Sequence, residues 1–256
     1  MIYLYGLIET DTSSKNHIPL ELTGVTGPVQ ATSFDEGLLV WSTHDGSEIL
    51  PKRRNLLAHT RVIEALMETG SVLPMRFGML VRDLDEVSQL MKAKADQITT
   101  QFDRIRGNVE LSVRVTYPRQ VAIDATLDGS ASLKAARDKL MGARHGAHFA
   151  RADFGRELAD ILDRRRGEAQ KKMIAALLPH CLSHVLRAPE EDIETLRAEF
   201  LVRQENQQAF TQALEDTAQA SGFAPGAEAT IRLLGPVPMY HFVELSLSSP
   251  EHEEVA

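Results

Sequence analysis

Gly70-Ser71-Val72-Leu73-Pro74-Met75-Arg76-Phe77-Gly78 reads as a short buried strand held between two well-marked helices. Gly70 can take the left-handed conformation that closes the helix before it, and Val72, Leu73, Met75 and Phe77 supply apolar bulk at strand-like density. Pro74 has no backbone donor, so the strand must be an edge, bulged or interrupted there. Arg76 breaks the apolar run. Burying its guanidinium unpaired is prohibitive, so it must emerge to solvent or meet an acidic partner; an ion pair tethering two elements is the expected role and a ligand contact the alternative.

Upstream of this stretch, Pro51 suits the first turn of a helix, and Leu56, Thr60, Ile63 and Met67 then recur on one side of it. Downstream, Asp83 and Glu86 form a helix start, and Leu84, Val87, Met91, Ile98, Phe102 and Ile105 share a stripe on one helix ending at Gly107. Ile2 to Ile8 reads as a first strand, apolar on both faces and therefore central. Gly24, Gly27 and Pro28 punctuate the next region, and Val29 to Phe34 and Gly37 to Ser42 form a hairpin through Asp35-Glu36-Gly37. Trp41, the only tryptophan, reads as a core side chain of that hairpin.

Val109, Leu111, Val113 and Val115 alternate with Glu110, Ser112, Arg114 and Thr116, which predicts a strand with one buried face and one wet or paired. A domain boundary is placed just before it, dividing the chain into 1–106 and 107–256; a cut near Asp124 to Ser130 is the alternative. From Ser132 to about Arg187 the pattern is helical, broken at Gly142/Gly146 and divided at Pro179. Phe154, Leu158, Ile161, Leu162, Met173, Leu177 and Cys181 fall on its apolar side. Arg164-Arg165-Arg166 points around a helix and reads as a solvated face. A strand at Leu196 to Val202, a helix at Phe210 to Thr217 closed by Gly222, a strand at Ala227 to Leu233, a Gly235-Pro236-Val237-Pro238 corner and a last strand from Tyr240 to Leu247 complete the order. Ser248 to Ala256 reads as a disordered tail. The class is α+β, in two domains, each a mainly antiparallel sheet packed with helices.

The 256 residues and 43% hydrophobic content support two real cores, and 28 basic against 36 acidic side chains give a net charge of −8, which argues against nucleic acid as a partner. A single cysteine excludes a disulfide framework. No apolar run approaches the roughly 20 residues of a membrane span, so no membrane role is expected and a cytoplasmic location is.

No phosphate loop, nucleophile elbow, paired-cysteine cluster or His-Glu-x-x-His helix occurs. His180 and His184, four apart on a helix, could aim at one zinc with Cys181 turned aside, but no third ligand stands at a recognisable spacing, and no metal or cofactor is expected. An enzyme or small-ligand sensor would have to gather His44, Asp45, His59 and Arg76 at one cleft; His44-Asp45-Gly46 reads more simply as a turn, and His59 as a helix residue beside apolar positions.

Three segments carry a family resemblance: Tyr3-Leu4-Tyr5-Gly6, Val72-Leu73-Pro74-Met75-Arg76-Phe77-Gly78, and Gly235-Pro236-Val237-Pro238-Met239-Tyr240-His241-Phe242. In that order they resemble the gas vesicle protein F/L family, with Val237 where the late motif usually carries Trp and Met239 where it carries a second Pro. The resemblance implies two α+β domains, the second modified ferredoxin-like. It also implies a non-catalytic accessory or minor structural protein of the gas vesicle. Such a protein would bind the small hydrophobic shell protein (GvpA-type) and other accessory proteins during nucleation and assembly.

Overall fold

The computed structural model describes residues 1–9, 22–142, 148–245 and 247. Contacts divide the chain into two compact units, Met1–Glu110 joined by the segment from Pro236, and Leu111–Gly235. The division at 106/107 expected from sequence differs at the C-terminus, where the segment after Pro236 belongs with the first unit. Its side chains and backbone are held there: Phe242 is buried, Gln101 Oε1 accepts from the Glu244 amide, Gln97 Nε2 donates to the Glu244 carbonyl, and Glu110 accepts from the amide and Nδ1 of His241. These contacts replace the ladder of the strand expected from Tyr240 to Leu247, which does not form among the described residues of that segment.

In the first unit, β1 (Ile2–Ile8), β2 (Gln30–Phe34), β3 (Gly37–Thr43), β4 (Val72–Pro74) and β5 (Leu80–Val81) make one sheet, in the order β2-β3-β1-β4 with β5 also on β1. All the strand pairs are antiparallel. Every residue of β1 is buried, as its two-sided apolar pattern predicts. The hairpin β2–β3 turns at Asp35-Glu36, and Trp41 is in the core with Nε1 donating to Thr32 Oγ1.

The 70–78 stretch forms a shorter strand than expected. It pairs with β1 only through Pro74; Met75 then donates to the Tyr5 carbonyl, and Arg76-Phe77-Gly78 bulges outward before Met79 and β5 rejoin β1. Pro74 ends the strand because it has no amide to donate. Gly78 supplies the positive φ (+86°) of the bulge. On the other side of β1 the register against β3 shifts between Leu4 and Gly6. The shift lets Tyr3, Tyr5 and Ile8 all enter one core, with Val40, Val72 and three residues of α1 (Arg53–Met67).

The buried face of α1 is His59, Val62, Ile63 and Leu66, not the Leu56, Thr60, Ile63, Met67 stripe expected from sequence. Leu56 is exposed, and the helix is turned so that an imidazole enters the core. The capping box opens α2 (Leu84–Ala93) as expected: Asp83 accepts from the Glu86 amide and Glu86 from the Arg82 amide. The expected single helix is two, α2 and α3 (Ala95–Ile105), broken at Lys94, whose φ/ψ of −113°/16° leaves the helical region.

The second unit contains most of β6 (Asn108–Thr116), then α4 (Arg119–Gly129), α5 (Ala131–Gly142), α6 (His148–Leu177), β7 (Ser183–Leu186), β8 (Glu194–Arg203), α7 (Gln207–Gln219) and most of β9 (Thr230–Val237), with the sheet order β7-β8-β6-β9. The β6 and β8 alternations form strands as predicted. The region near Asp124 to Ser130, offered as an alternative cut, instead falls almost wholly within helix α4. The helix expected to reach Arg187 stops at Leu177; Leu178–His180 makes one 3-10 turn around Pro179, and β7 follows, antiparallel to β8. The Gly146 break and the 248–256 tail lie outside the described residues.

Arg165 departs from the solvated face expected of the arginine triplet. Its guanidinium donates to the carbonyls of Ala122, Gly222 and Phe223 and to Thr126 Oγ1, and lies 5.7 Å from the Phe223 ring centroid. Burial lowers its pKa, yet it stays cationic, and the planar fork ties α6 to α4 and to the turn after α7. Arg165→Lys keeps the charge but cannot span four acceptors. Urea unfolding is expected to show a loss of about 1–3 kcal/mol for Arg165→Lys, and little change for Arg164→Lys, whose side chain is exposed.

Candidate functional site

The three sequence motifs meet in the first unit around His59. Tyr3 and Tyr5 come from β1, His59 from α1, Met75, Phe77 and Gly78 from the bulge after β4, and Tyr240 from the C-terminal segment. The Tyr3 and Tyr5 ring centroids are 4.9 Å apart, Phe77 meets Tyr3 and His59 edge-on at 6.3 and 5.7 Å, and Tyr240 stacks on His59 at 6.5 Å. Edge-on and offset contacts of this kind suit the ring quadrupoles.

Hydrogen bonds fix the protons. His59 Nε2 lies 3.0 Å from the Met75 carbonyl, which can only accept, so Nε2 carries the hydrogen. Nδ1 is then an acceptor and takes the Tyr3 hydroxyl hydrogen at 2.8 Å, while the Tyr3 oxygen accepts from the Gly78 amide at 3.1 Å. The circuit runs Gly78 N–H to Tyr3 O–H to His59, and His59 N–H to Met75. It leaves no polar atom of the ring unpaired. His59 is 2% exposed, and desolvation lowers its pKa to about 4 against the smaller opposing effect of the Met75 bond. Burial likewise raises the Tyr3 phenol. A second network adjoins it: the Tyr5 oxygen accepts from the Val25 amide at 2.8 Å and shares a hydrogen with Ser42 Oγ, which meets Thr26 Oγ1 at 2.6 Å. A Cβ on Gly24 would lie 1.9 Å from the Tyr5 hydroxyl, so only glycine admits that approach.

The other motif residues serve the same assembly. Gly6 brings β1 close to β4, where a Cβ would meet the Leu73 carbonyl at 3.1 Å; Leu73 itself pairs with Leu7 and is buried. Pro238 and Phe242 are buried on either side of Tyr240, whereas Gly235 and Pro236 are exposed. Arg76 does not make the expected ion pair: it is exposed, and among the described residues no carboxylate meets it.

The catalytic constellation does not assemble. His44 sits in a turn, with Nδ1 accepting from the Gly46 amide and Asp45 accepting from the Ser47 amide, and no contact among the described residues joins His44 or Arg76 to His59. His180 and His184 do not share a helix face. His180 closes the 3-10 turn, and His184 is on β7 with its ring 5.9 Å from Phe200. Cys181 is half-buried, and burial raises its thiol pKa.

The family model for gas vesicle synthesis protein GvpL/GvpF matches residues 1–244. The chain belongs to that family. It is 28% identical to gas vesicle protein F of Dolichospermum flosaquae over 227 residues, covering 86% of this chain and 90% of the relative. To gas vesicle protein L of Streptomyces sp. (strain CB03234) it is 27% identical, over 88% of this chain and 81% of the relative. The crystal structure of GvpF from Anabaena sp. PCC7120 shares its fold, with a TM-score of 0.79 over 96% of this chain and 98% of that one at 24% identity. The matched span takes in all three motifs.

Sequence reasoning named the Tyr3, Tyr5, Phe77 and Tyr240 motifs and missed what joins them. The signal was His59 itself, four residues before Ile63 and three before Val62 on the face that the burial of β1 requires.

His59 makes stability depend on pH in a definite direction. Its folded pKa lies below the unfolded value near 6.5, so the unfolded chain binds a proton first, and stability contributed by the neutral ring is present above 6.5 and lost as pH falls toward about 4. At 1.36 kcal/mol per unit the loss is roughly 3 kcal/mol at most. The difference in unfolding free energy between wild type and His59→Leu should therefore shrink between pH 7 and pH 4. A constant difference would mean that the ring is not held neutral.

Proposed function

We propose that the protein is a non-catalytic gas vesicle assembly protein, which holds the hydrophobic shell protein in a soluble state and delivers it to the growing vesicle in the cytoplasm. Family membership across residues 1–244 supports the gas vesicle context. The observation that carries the non-catalytic part is the fate of the motifs: their polar groups are consumed by one another around His59, with its proton committed to a backbone carbonyl. A general base needs a free lone pair within reach of a substrate, and His59 has none.

Sheet edges suit a strand-forming partner. β2, β7 and β9 end their sheets, and β9 is exposed along most of its length, with Leu234 at 63%. An added strand would satisfy main-chain donors and acceptors there, and aliphatic contacts would supply affinity. No helix among the described residues is long and apolar enough to cross a membrane. The order strand, helices, strand, strand, helix, strand in the second unit supports the ferredoxin-like part of the reading.

Co-expression of the shell protein with and without this chain tests the proposal. More soluble shell protein, more intact vesicles and a complex that survives raised salt are expected, since an apolar contact is little screened. Equal yields in both cultures with no complex detected would refute it.

A further inference from the structure

Within the first unit, a cavity of about 550 Å³ lies between the end of β3 and the first turn of α1, with Thr26, His44, Asp45, Glu48, Arg54 and Asn55 among its lining residues. That volume falls in the range of roughly 300–1,000 Å³ that small-molecule sites occupy. One wall is braced from behind. Thr26 Oγ1 lies 2.6 Å from Ser42 Oγ, which in turn meets the Tyr5 hydroxyl at 2.9 Å.

The His44 side chain in this cavity is only 5% exposed. Its Nδ1 accepts from the Gly46 amide at 2.9 Å, so the ring hydrogen is on Nε2. Asp45 Oδ1 is 3.8 Å from Nε2, too far to accept that hydrogen. No enclosed side-chain nitrogen or oxygen among the described residues lacks a partner, so Nε2, which has no hydrogen bond, opens on the cavity that His44 lines. A ring buried everywhere but at its donor is placed to give that hydrogen to whatever fills the space.

Opposite charges line the same cavity without pairing. Arg54 shares it with the carboxylates of Asp45 and Glu48, yet among the described residues Arg54 meets neither. The hydroxyl and amide of Ser47 hold Asp45 below the usual carboxylate range, so it is ionised at neutral pH. Lys52 opens α1 with no side-chain cap, which leaves first-turn amides and the positive end of the helix dipole beside Arg54. A simple anion entering here would gain the arginine and the helix end but face two carboxylates, and a simple cation would face the arginine. A molecule carrying both charges meets each with its opposite.

We propose that this cavity binds a free amino acid as the zwitterion, its carboxylate on Arg54, the His44 Nε2–H and the start of α1, and its ammonium toward Asp45 and Glu48. The arginine fork suits a carboxylate in bidentate geometry. Such binding is independent of the delivery of shell protein.

The test is isothermal titration calorimetry of the full chain against each of the common L-amino acids, at up to about 10 mM. At least one should bind with a Kd of about 1 mM or tighter. Its methyl ester, which lacks the anionic end, and its N-acetyl derivative, which lacks the cationic end, should each bind at least about tenfold more weakly. Arg54→Gln and Asp45→Asn should each weaken binding of the parent amino acid by a similar factor. Both side chains are exposed, so the thermal midpoints of the variants should match wild type and lost binding would not reflect lost folding. In nitrogen-15 NMR of the histidine rings, His44 Nε2 should shift as the amino acid is added while His59 stays in place. Absence of binding by every amino acid, equal binding of either derivative, or undiminished binding in Arg54→Gln would overturn the proposal.

Discussion

The bond from His59 Nε2 to the Met75 carbonyl is the constraint on which the first unit depends. A buried imidazole is tolerated only when both nitrogens are satisfied, and satisfying them dictates the positions of three other elements. Met75 must turn its carbonyl toward α1, which happens because Pro74 ends the ladder one residue earlier. Tyr3 must point at the same helix, which the irregular register of β1 permits. Gly78 must bring its amide to the Tyr3 oxygen, which its positive φ allows. The family motifs are thus read as one polar circuit wrapped in aromatic rings. Their spread over nearly the whole chain reflects where the chain returns to that circuit.

Much of this was legible in the sequence, and what was not has physical causes. Strands with two-sided apolar character or strict alternation, β1, β6 and β8, are found as read, because burial alone dictates their period. The capping box at Asp83 and the hairpin at Asp35-Glu36 are local and likewise legible. Elements whose backbone is satisfied from a distance were misread. Tyr240 to Leu247 has the composition of a strand, yet Gln97, Gln101 and Glu110 take its hydrogen bonds. Ser183–Leu186 continued a helical pattern, but its place beside β8 decides it. Arg165 and Arg164 are adjacent in sequence, and only the fold tells the carbonyl tie from the solvated charge. His59 can be set in one cleft with His44, Asp45 and Arg76 on paper because sequence does not show that its proton is already committed.

These features set out a division of labour within the first unit. The inner face of α1, with His59, Val62, Ile63 and Leu66, is spent on holding the sheet, and its outer face carries exposed arginines, glutamates and leucines. The polar groups of the sequence motifs pair with one another and so serve architecture.

The protonation of His59 tests this account most directly, because the circuit specifies both the tautomer and the absence of charge. Nitrogen-15 NMR of the imidazole rings in the folded protein, recorded as pH is lowered from 8 to 5, reads both. The account predicts one ring with hydrogen on Nε2 only and no titration across that range, in keeping with a pKa of about 4. A His59 ring that titrates near 6.5, or that carries its hydrogen on Nδ1, would contradict it.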